Sequence, residues 1–220
     1  MFSRGNISEK SRILALSSLT PGRLGCPVEE TGAVDLYAGV GYFAFCYKRA
    51  GVGWVGCWEL NAWSCEGLRR GAGRNGWGVR VVEGGEGDGE WEGEGEGLVV
   101  FEESNEFAAA RVEGMRGRIP PVRHVNCGFL PSSRGSWRTA VEVVDPGVGG
   151  WVHAHENVGR GEIEGRRGEV VGVFEGLVGE VRGEGWVVEC EFVERVKSYA
   201  PGVVHCVFDI GIRPVRGSGA

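Results

Sequence analysis

The 220-residue sequence lacks paired cysteine motifs, long apolar runs and an excess of positive charge. None of its seven cysteines forms a C-x-x-C pair, which argues against a disulfide framework or a zinc site and favours reduced, buried thiols. No apolar run is long enough to span a bilayer. Positive charge is not in excess: the formal net charge of −6 argues against a broad nucleic-acid-binding face while leaving room for a local basic groove. We therefore expect a cytoplasmic protein that does not insert into a membrane.

Glycine, by contrast, is abundant at 41 of 220 residues, and many glycines alternate with charged residues in two tracts. Residues 84–97 read GGEGDGEWEGEGEG, and residues 159–169 have a similar composition. Such tracts cannot bury enough apolar surface to offset the entropy lost on ordering. Both are predicted to be flexible insertions in a single domain that spans residues 1–220.

Outside these tracts, short apolar segments alternate with segments of helical period. The predicted strands are Ala33–Tyr37, Trp54–Trp58, Leu98–Phe101, Val122–Cys127, Trp151–His155, Trp186–Lys197 and Val203–Ile212. The predicted helices cover Ser8–Leu19, Tyr42–Ala50, 61–70, Asn105–Val112, Ser136–Val144 and, weakened by glycine, 169–181. The last two strands are joined by SYAPG, which is typical of a hairpin. This order predicts an α/β protein with a doubly wound, mostly parallel sheet and one antiparallel strand.

One glycine turn carries the strongest local signal. The stretch VDLYAGVGYFAF, residues 34–45, predicts a strand, a tight turn and a helix, and Gly39, Gly41 and Ala44 satisfy the pattern G-x-G-x-x-G/A. Glycine lets the backbone approach a ligand closely, because a side chain would collide with it. The turn suits a dinucleotide or S-adenosylmethionine; the alternative is a purely structural turn that caps a helix.

The terminal hairpin favours S-adenosylmethionine over a dinucleotide. A seven-stranded, Rossmann-like sheet that ends in an antiparallel hairpin is the arrangement of S-adenosylmethionine-dependent transferases, an argument by analogy of fold. In that interpretation Asp35, at the end of the first strand, reaches the turn amides or the amino group of the ligand. Glu59 follows the second strand at about the expected spacing and would accept both ribose hydroxyls.

Two histidines alternate on the fifth predicted strand. His153 and His155 would share one face, with Glu156 beside them, but no third metal ligand is evident. We expect strand-end packing or substrate contact here, and no metal.

Six segments together resemble the tRNA wybutosine-synthesizing protein 2 family, of the fungal kind. They read MFSRGNISEK, VDLYAGVGYFAF, CWELNAWSCEGLRRGA, VRHVNCGFLPSS, GGWVHAHENV and VERVKSYAPGVVHCVFDI. The resemblance implies an enzyme that transfers the 3-amino-3-carboxypropyl group of S-adenosylmethionine to a tricyclic wyosine precursor beside the anticodon of phenylalanine tRNA. It implies S-adenosylmethionine as co-substrate, and we expect no metal cofactor and a monomer.

The resemblance also assigns cofactor-binding residues. Ser3 and Lys10 match cofactor-binding positions of the family, and Lys10 would pair with the methionine carboxylate. The alternative is an exposed lysine on a solvated helix. After the third strand, Ser104 and Asn105 stand where the broader family tends to place an aspartate that reads the adenine amino group.

Residues on the acceptor side are less well determined. The fourth strand ends in Asn126-Cys127-Gly128-Phe129-Leu130-Pro131 instead of the Asn/Asp-Pro-Pro-aromatic clamp of many amino methyltransferases, which favours a different acceptor. Asn126 and Arg4 are candidates for positioning the reacting groups, and the catalytic residues are otherwise unassigned. Basic side chains expected to contact the anticodon stem are Arg4, Arg12, Arg123 and Arg134.

The resemblance places MFSRGNISEK inside the protein, just before the catalytic sheet. We therefore expect a catalytic-domain fragment without the family's amino-terminal domain, and we do not interpret the Ser- and Arg-containing first nineteen residues as a targeting presequence. Two alternatives stay open: a tRNA guanine methyltransferase of the same fold, and a non-catalytic remnant that only binds the cofactor.

Overall fold

The computed structural model describes residues 7–84 and 97–215. Ser3, Arg4 and nearly all of the tract 84–97 therefore lie outside the described residues. The helices are α1 (Ile7–Leu14), α2 (Pro21–Leu24), α3 (Ala44–Arg49), α4 (Ala62–Arg74), α5 (Ala108–Met115), α6 (Trp137–Val143) and α7 (Ile163–Arg182). The strands are β1 (Gly32–Asp35), β2 (Trp54–Trp58), β3 (Arg80–Glu83), β4 (Leu98–Glu102), β5 (Val122–Cys127), β6 (Gly150–Gly159), β7 (Trp186–Ala200) and β8 (Val203–Pro214).

The strands form one sheet in the order β3-β4-β2-β1-β5-β6-β8-β7. Within the described residues β8 alone runs antiparallel to its neighbours, β6 and β7. The predicted α/β class, mostly parallel with a terminal hairpin, is confirmed. The sheet has eight strands in this part of the chain rather than the expected seven, because β3 adds a parallel edge to β4.

The helices cover both faces of the sheet, as a doubly wound fold requires. On one face α5, α6 and α7 pack on β-strand residues such as Val34, Val152 and Phe208. On the other face α1, α3 and α4 pack on residues such as Ala33 and Val55. In the described residues no helix has the length and apolar character needed to cross a membrane.

The second glycine-rich tract is structured differently from the prediction. The composition predicted a flexible insertion over residues 159–169, but β6 continues to Gly159 and residues from Ile163 onward form α7. Four apolar side chains of this helix are buried at spacings close to the helical period: Ile163, Val170, Phe174 and Val178. Their packing on the sheet offsets the helix-weakening effect of the glycines.

Candidate cofactor site

Two glycines with positive φ shape the turn that follows β1. Gly39 has φ of 54° and Gly41 has φ of 89°, the left-handed region that favours glycine. A Cβ atom on Gly41 would lie 2.8 Å from the Phe45 ring and 3.0 Å from Leu68, so packing also requires glycine there. At Gly39, by contrast, a Cβ atom would meet nothing within 4 Å. The space in front of Gly39 is therefore open to a ligand.

Glu59 is directed at this turn. Its Oε2 accepts a hydrogen bond from the Gly39 amide at 2.8 Å, and its Oε1 accepts one from the Asn61 amide at 2.9 Å. An ionised carboxylate offers about four acceptor positions, so two further hydroxyl donors can be accommodated. Glu59 is thus tied to the glycine turn rather than simply solvated at the end of β2.

Asp35 and Asn126 form a buried polar pair beneath the turn. Asn126 Nδ2 donates to Asp35 Oδ1 at 3.1 Å, and the Tyr37 amide donates to the same oxygen at 3.3 Å. The other oxygens, Asp35 Oδ2 and Asn126 Oδ1, are buried without a partner. Burial raises the pKa of Asp35 to about 6, although both hydrogen bonds lower it. Two buried acceptors without a partner suit a cationic donor such as an ammonium group.

An aromatic pair stands at the same edge of the sheet. Tyr37, two residues beyond β1, stacks on Phe129 from the loop after β5, with ring centroids 4.9 Å apart. Phe129 remains half exposed. Sequence reasoning had not singled out Tyr37, since only its contact with Phe129 reveals a second ring at this position.

Ser104 and Asn105, the two residues expected to contact the adenine, make different hydrogen bonds. Asn105 Nδ2 donates to the Leu36 carbonyl at 2.8 Å and so ties the segment after β4 to the segment after β1. The Ser104 hydroxyl accepts from the Glu106 amide at 3.3 Å and starts a short 3-10 turn. Both side chains are partly buried, and the Ser104 hydrogen bond is local, whereas that of Asn105 joins two segments 69 residues apart along the chain.

Lys10 also reaches the turn. Its Nζ lies 4.7 Å from the centre of the Tyr42 ring, and Tyr42 directly follows Gly41. The residue is partly buried, so it is not a freely solvated lysine. Helix α1 therefore brings one cation to the residue that directly follows the glycine turn.

The four histidines are buried strand residues, joined in pairs. His124 and His153 are linked at 3.0 Å, and His155 and His205 are linked at 3.0 Å. Glu156 instead contacts the Ser132 hydroxyl. In the described ranges no group of three or more His, Cys, Asp or Glu side chains could hold a metal ion. Strand packing accounts for His153 and His155.

Two of the arginines expected to contact tRNA are unavailable. Arg12 is bound by two carboxylates, those of Glu9 and Asp209. Arg123 is buried and donates to the carbonyls of Gly149 at 2.7 Å and Leu24 at 2.8 Å. Their assignment as phosphate contacts was wrong, because the sequence alone does not show which arginines are buried or paired by folding. Arg134 is exposed in the loop before α6.

Comparison with known proteins confirms the resemblance in sequence. No protein-family model matches the chain. The tRNA wybutosine-synthesizing protein 2 of Schizosaccharomyces pombe is 41% identical over 210 residues, which cover 96% of this chain and 46% of the relative. The Saccharomyces cerevisiae protein of the same name is 32% identical over 229 residues, or 96% of this chain and 44% of the relative. The chain thus spans about half the length of the curated relatives it matches.

Solved structures support the fold. M. jannaschii TYW2 in complex with AdoMet aligns with a TM-score of 0.69 at 20% identity, over 97% of this chain and 78% of that one. P. horikoshii TYW2 in complex with MeSAdo aligns with a TM-score of 0.67 at 18% identity, over 97% and 64%. Trm5b from Pyrococcus abyssi aligns with a TM-score of 0.66 at 17% identity, over 97% and 50%.

Proposed function

This chain is a homologue of the tRNA wybutosine-synthesizing protein 2 family over 96% of its length, and on that basis we propose that it is the catalytic domain of an S-adenosylmethionine-dependent aminocarboxypropyltransferase acting on tRNA. The acceptor is the tricyclic wyosine precursor beside the anticodon of phenylalanine tRNA. The enzyme acts in the cytoplasm as a monomer.

The observation that carries this proposal is the convergence of Glu59, Asp35 and Lys10 on one open glycine turn. Glu59 would accept the two ribose hydroxyls, as its position on the Gly39 amide suggests. The unpartnered Oδ2 of Asp35 would receive the ammonium group of the methionine portion. Lys10, above Tyr42, would meet the carboxylate of that portion. Ser104 and Asn105 would border the adenine, and Ser3 would add a cofactor contact.

The three charged residues would fix the group that moves. The sulfonium activates three carbons alike, so alignment of one carbon about 3–3.5 Å from the nucleophile decides which group is transferred. Transfer of the aminocarboxypropyl group breaks the bond between sulfur and its γ-carbon and leaves the electron pair on sulfur as neutral methylthioadenosine. The γ-carbon bonds to the acceptor, which loses one proton to solvent. Holding both the ammonium and the carboxylate would align this carbon rather than the methyl group.

The acceptor side of the site favours a flat base. Tyr37 and Phe129 are stacked, and half of Phe129 is accessible beside Asn126. A base extracted from an anticodon loop stacks well on such a ring. Asn126 and Arg4 are the proposed positioning residues there. A tRNA guanine methyltransferase is the second candidate, because Trm5b shares this fold.

The first test is ligand choice. We expect S-adenosylmethionine and methylthioadenosine to bind, and NAD not to bind, because Asp35 and Lys10 match the ammonium and carboxylate of methionine and not a second nucleotide. Isothermal titration calorimetry on the 220-residue chain measures all three. NAD binding more tightly than S-adenosylmethionine would contradict the proposal.

The second test concerns tRNA. We expect the chain to bind it weakly, because phosphate contacts dominate affinity and the net charge is −6. Arg12 and Arg123 are already engaged within the protein. Fusion to the amino-terminal domain of a fungal relative should raise the affinity and steepen its dependence on salt. Salt titrations of both proteins provide the comparison, and equal affinities with equal slopes would mean that the catalytic domain carries its own tRNA site.

A further inference from the structure

We propose that Asp209, on β8, is a positioning residue for the transferred group. It holds α1 through Arg12, and α1 in turn carries Lys10 to the glycine turn. The inference rests on the proposed function, in which Lys10 binds the methionine carboxylate. Nothing in the local sequence of β8 suggests this role, because Asp209 and Arg12 are separated by 197 residues along the chain.

One guanidinium group joins two buried carboxylates. Arg12 Nη1 donates to Asp209 Oδ2 at 2.5 Å, and Nη2 lies 3.2 Å from Asp209 Oδ1. On its other side Arg12 Nε donates to Glu9 Oε2 at 2.9 Å, and Nη2 lies 2.6 Å from Glu9 Oε1. The Glu9 side chain is 1% exposed and that of Asp209 is 8% exposed. Such paired, charge-assisted contacts fix orientation as well as distance.

The cluster is anchored deep in the sheet. His153 Nδ1 lies 2.7 Å from Asp209 Oδ1, and the opposite nitrogen of the same ring lies 3.0 Å from His124 Nδ1. His124, His153 and Asp209 belong to β5, β6 and β8, three adjacent strands. Asp209 is therefore held on both sides and presents a fixed carboxylate to α1.

Apart from this cluster, helix α1 is held mainly by one core side chain, Ile13. It is eight residues long and buries two side chains, Glu9 and Ile13. Its other large apolar residues, Ile7 and Leu14, are 55% and 47% exposed. A helix this short is not stable alone, so its place depends on tertiary contacts. Glu9 is the immediate neighbour of Lys10, and a shift of Glu9 away from Arg12 would move the lysine from the glycine turn.

The test compares the binding of S-adenosylmethionine with that of methylthioadenosine, which differ by the aminocarboxypropyl group. Methylthioadenosine lacks the amino and carboxyl groups, so it cannot use Lys10. For Asp209→Asn we expect the dissociation constant for S-adenosylmethionine to rise about tenfold, and that for methylthioadenosine to stay unchanged. In a Lys10→Met background Asp209→Asn should cause no further loss for S-adenosylmethionine, because the two changes remove the same contact.

Glu103→Gln is the matched control. The Glu103–Arg111 pair has side-chain exposures of 8% and 12%, against 8% and 13% for Asp209 and Arg12. This control should cost stability yet leave the ratio of the two ligand affinities unchanged. Arg12→Lys, which keeps the charge but loses the paired geometry, replaces Asp209→Asn if that variant does not fold.

Three results would overturn the inference. If Asp209→Asn lowers the affinity for both ligands equally, the cluster has only a structural role. If it lowers neither affinity, Asp209 does not position Lys10. Additive losses in the Lys10→Met background would place the effect elsewhere. If the unaltered chain binds neither ligand, the proposed function itself fails, and that outcome is distinct from the other three.

Discussion

Asp35→Asn is expected to stabilise the ligand-free protein by about 2–3 kcal/mol at pH 7 while weakening its binding of S-adenosylmethionine. Burial raises the pKa of Asp35 from 3.8 to about 6. Between these two pKa values the folded protein binds more protons than the unfolded chain. The free energy of unfolding therefore falls as the pH rises from about 4 to about 6, and it stays at the lower value above pH 6. Asparagine does not ionise, which removes this loss.

The same substitution removes a negative charge that the ammonium group of the ligand would neutralise. We expect the affinity for S-adenosylmethionine to fall by about 1.5–3 kcal/mol, the range for hydrogen bonds to charged groups. Urea unfolding at pH 4 and pH 7, followed by calorimetry at pH 7, measures both effects. The stability difference between the variant and the natural chain should nearly vanish at the lower pH.

Asp209→Asn is the matched comparison, because Asp209 is also a buried aspartate. Burial raises the pKa of its carboxyl, but His153 and Arg12 outweigh burial, so the pKa is lowered overall. The ionised form stabilises the fold above the unfolded-state pKa, so Asp209→Asn should lose stability at pH 7. A destabilising Asp35→Asn at pH 7 would contradict the raised pKa of Asp35, and unaltered ligand binding would show that Asp35 is not the ammonium site.

Glu59→Ala is expected to weaken S-adenosylmethionine binding by about 1.5–3 kcal/mol, or about tenfold to a hundredfold in dissociation constant. The alanine loses the proposed ribose contacts and also the hydrogen bond to the Gly39 amide, which holds the turn in its open form. Calorimetry with S-adenosylmethionine measures the loss.

Glu66→Gln is the control for this substitution. Glu66 lies on α4, close in sequence to Glu59, and pairs with Arg69 and Arg70. Both of its carboxylate oxygens are engaged by these exposed arginines and, in the described part of the chain, it makes no hydrogen bond to the glycine turn, so ligand affinity should not change. A Glu59→Ala variant that binds as tightly as the natural chain would mean that Glu59 neither contacts the ribose nor is needed to hold the turn for binding.

The fold could be predicted from sequence where the signal is local and continuous. Strands β2 and β5 begin and end at the predicted residues, because each is an uninterrupted buried run. Strand β3 was missed because Arg80–Glu83 contains two apolar residues and gains its order from pairing with β4. The first helix was predicted to Leu19 but ends at Leu14; a separate 3-10 turn follows at Ser17–Leu19.

The candidate site divides in the same way. The glycine turn and Glu59 could be predicted, since one motif specifies both and the structure brings them into contact. The ion pair between Arg12 and Asp209 could not be predicted, because it depends on the packing of the first helix against the last strand. The same limit applies to Arg123, whose partners are backbone carbonyls that no side-chain pattern encodes.

The proposed enzyme moves the aminocarboxypropyl group of S-adenosylmethionine rather than its methyl group. The direct measurement is incubation at low salt with carboxyl-labelled S-adenosylmethionine and tRNA that carries the wyosine precursor, using the chain alone and fused to the amino-terminal domain of a relative. We expect the label to enter the tRNA and methylthioadenosine to be released in equal amount. Label retained in adenosylhomocysteine, with an unlabelled and methylated tRNA, would contradict the account and identify a methyltransferase of the same fold.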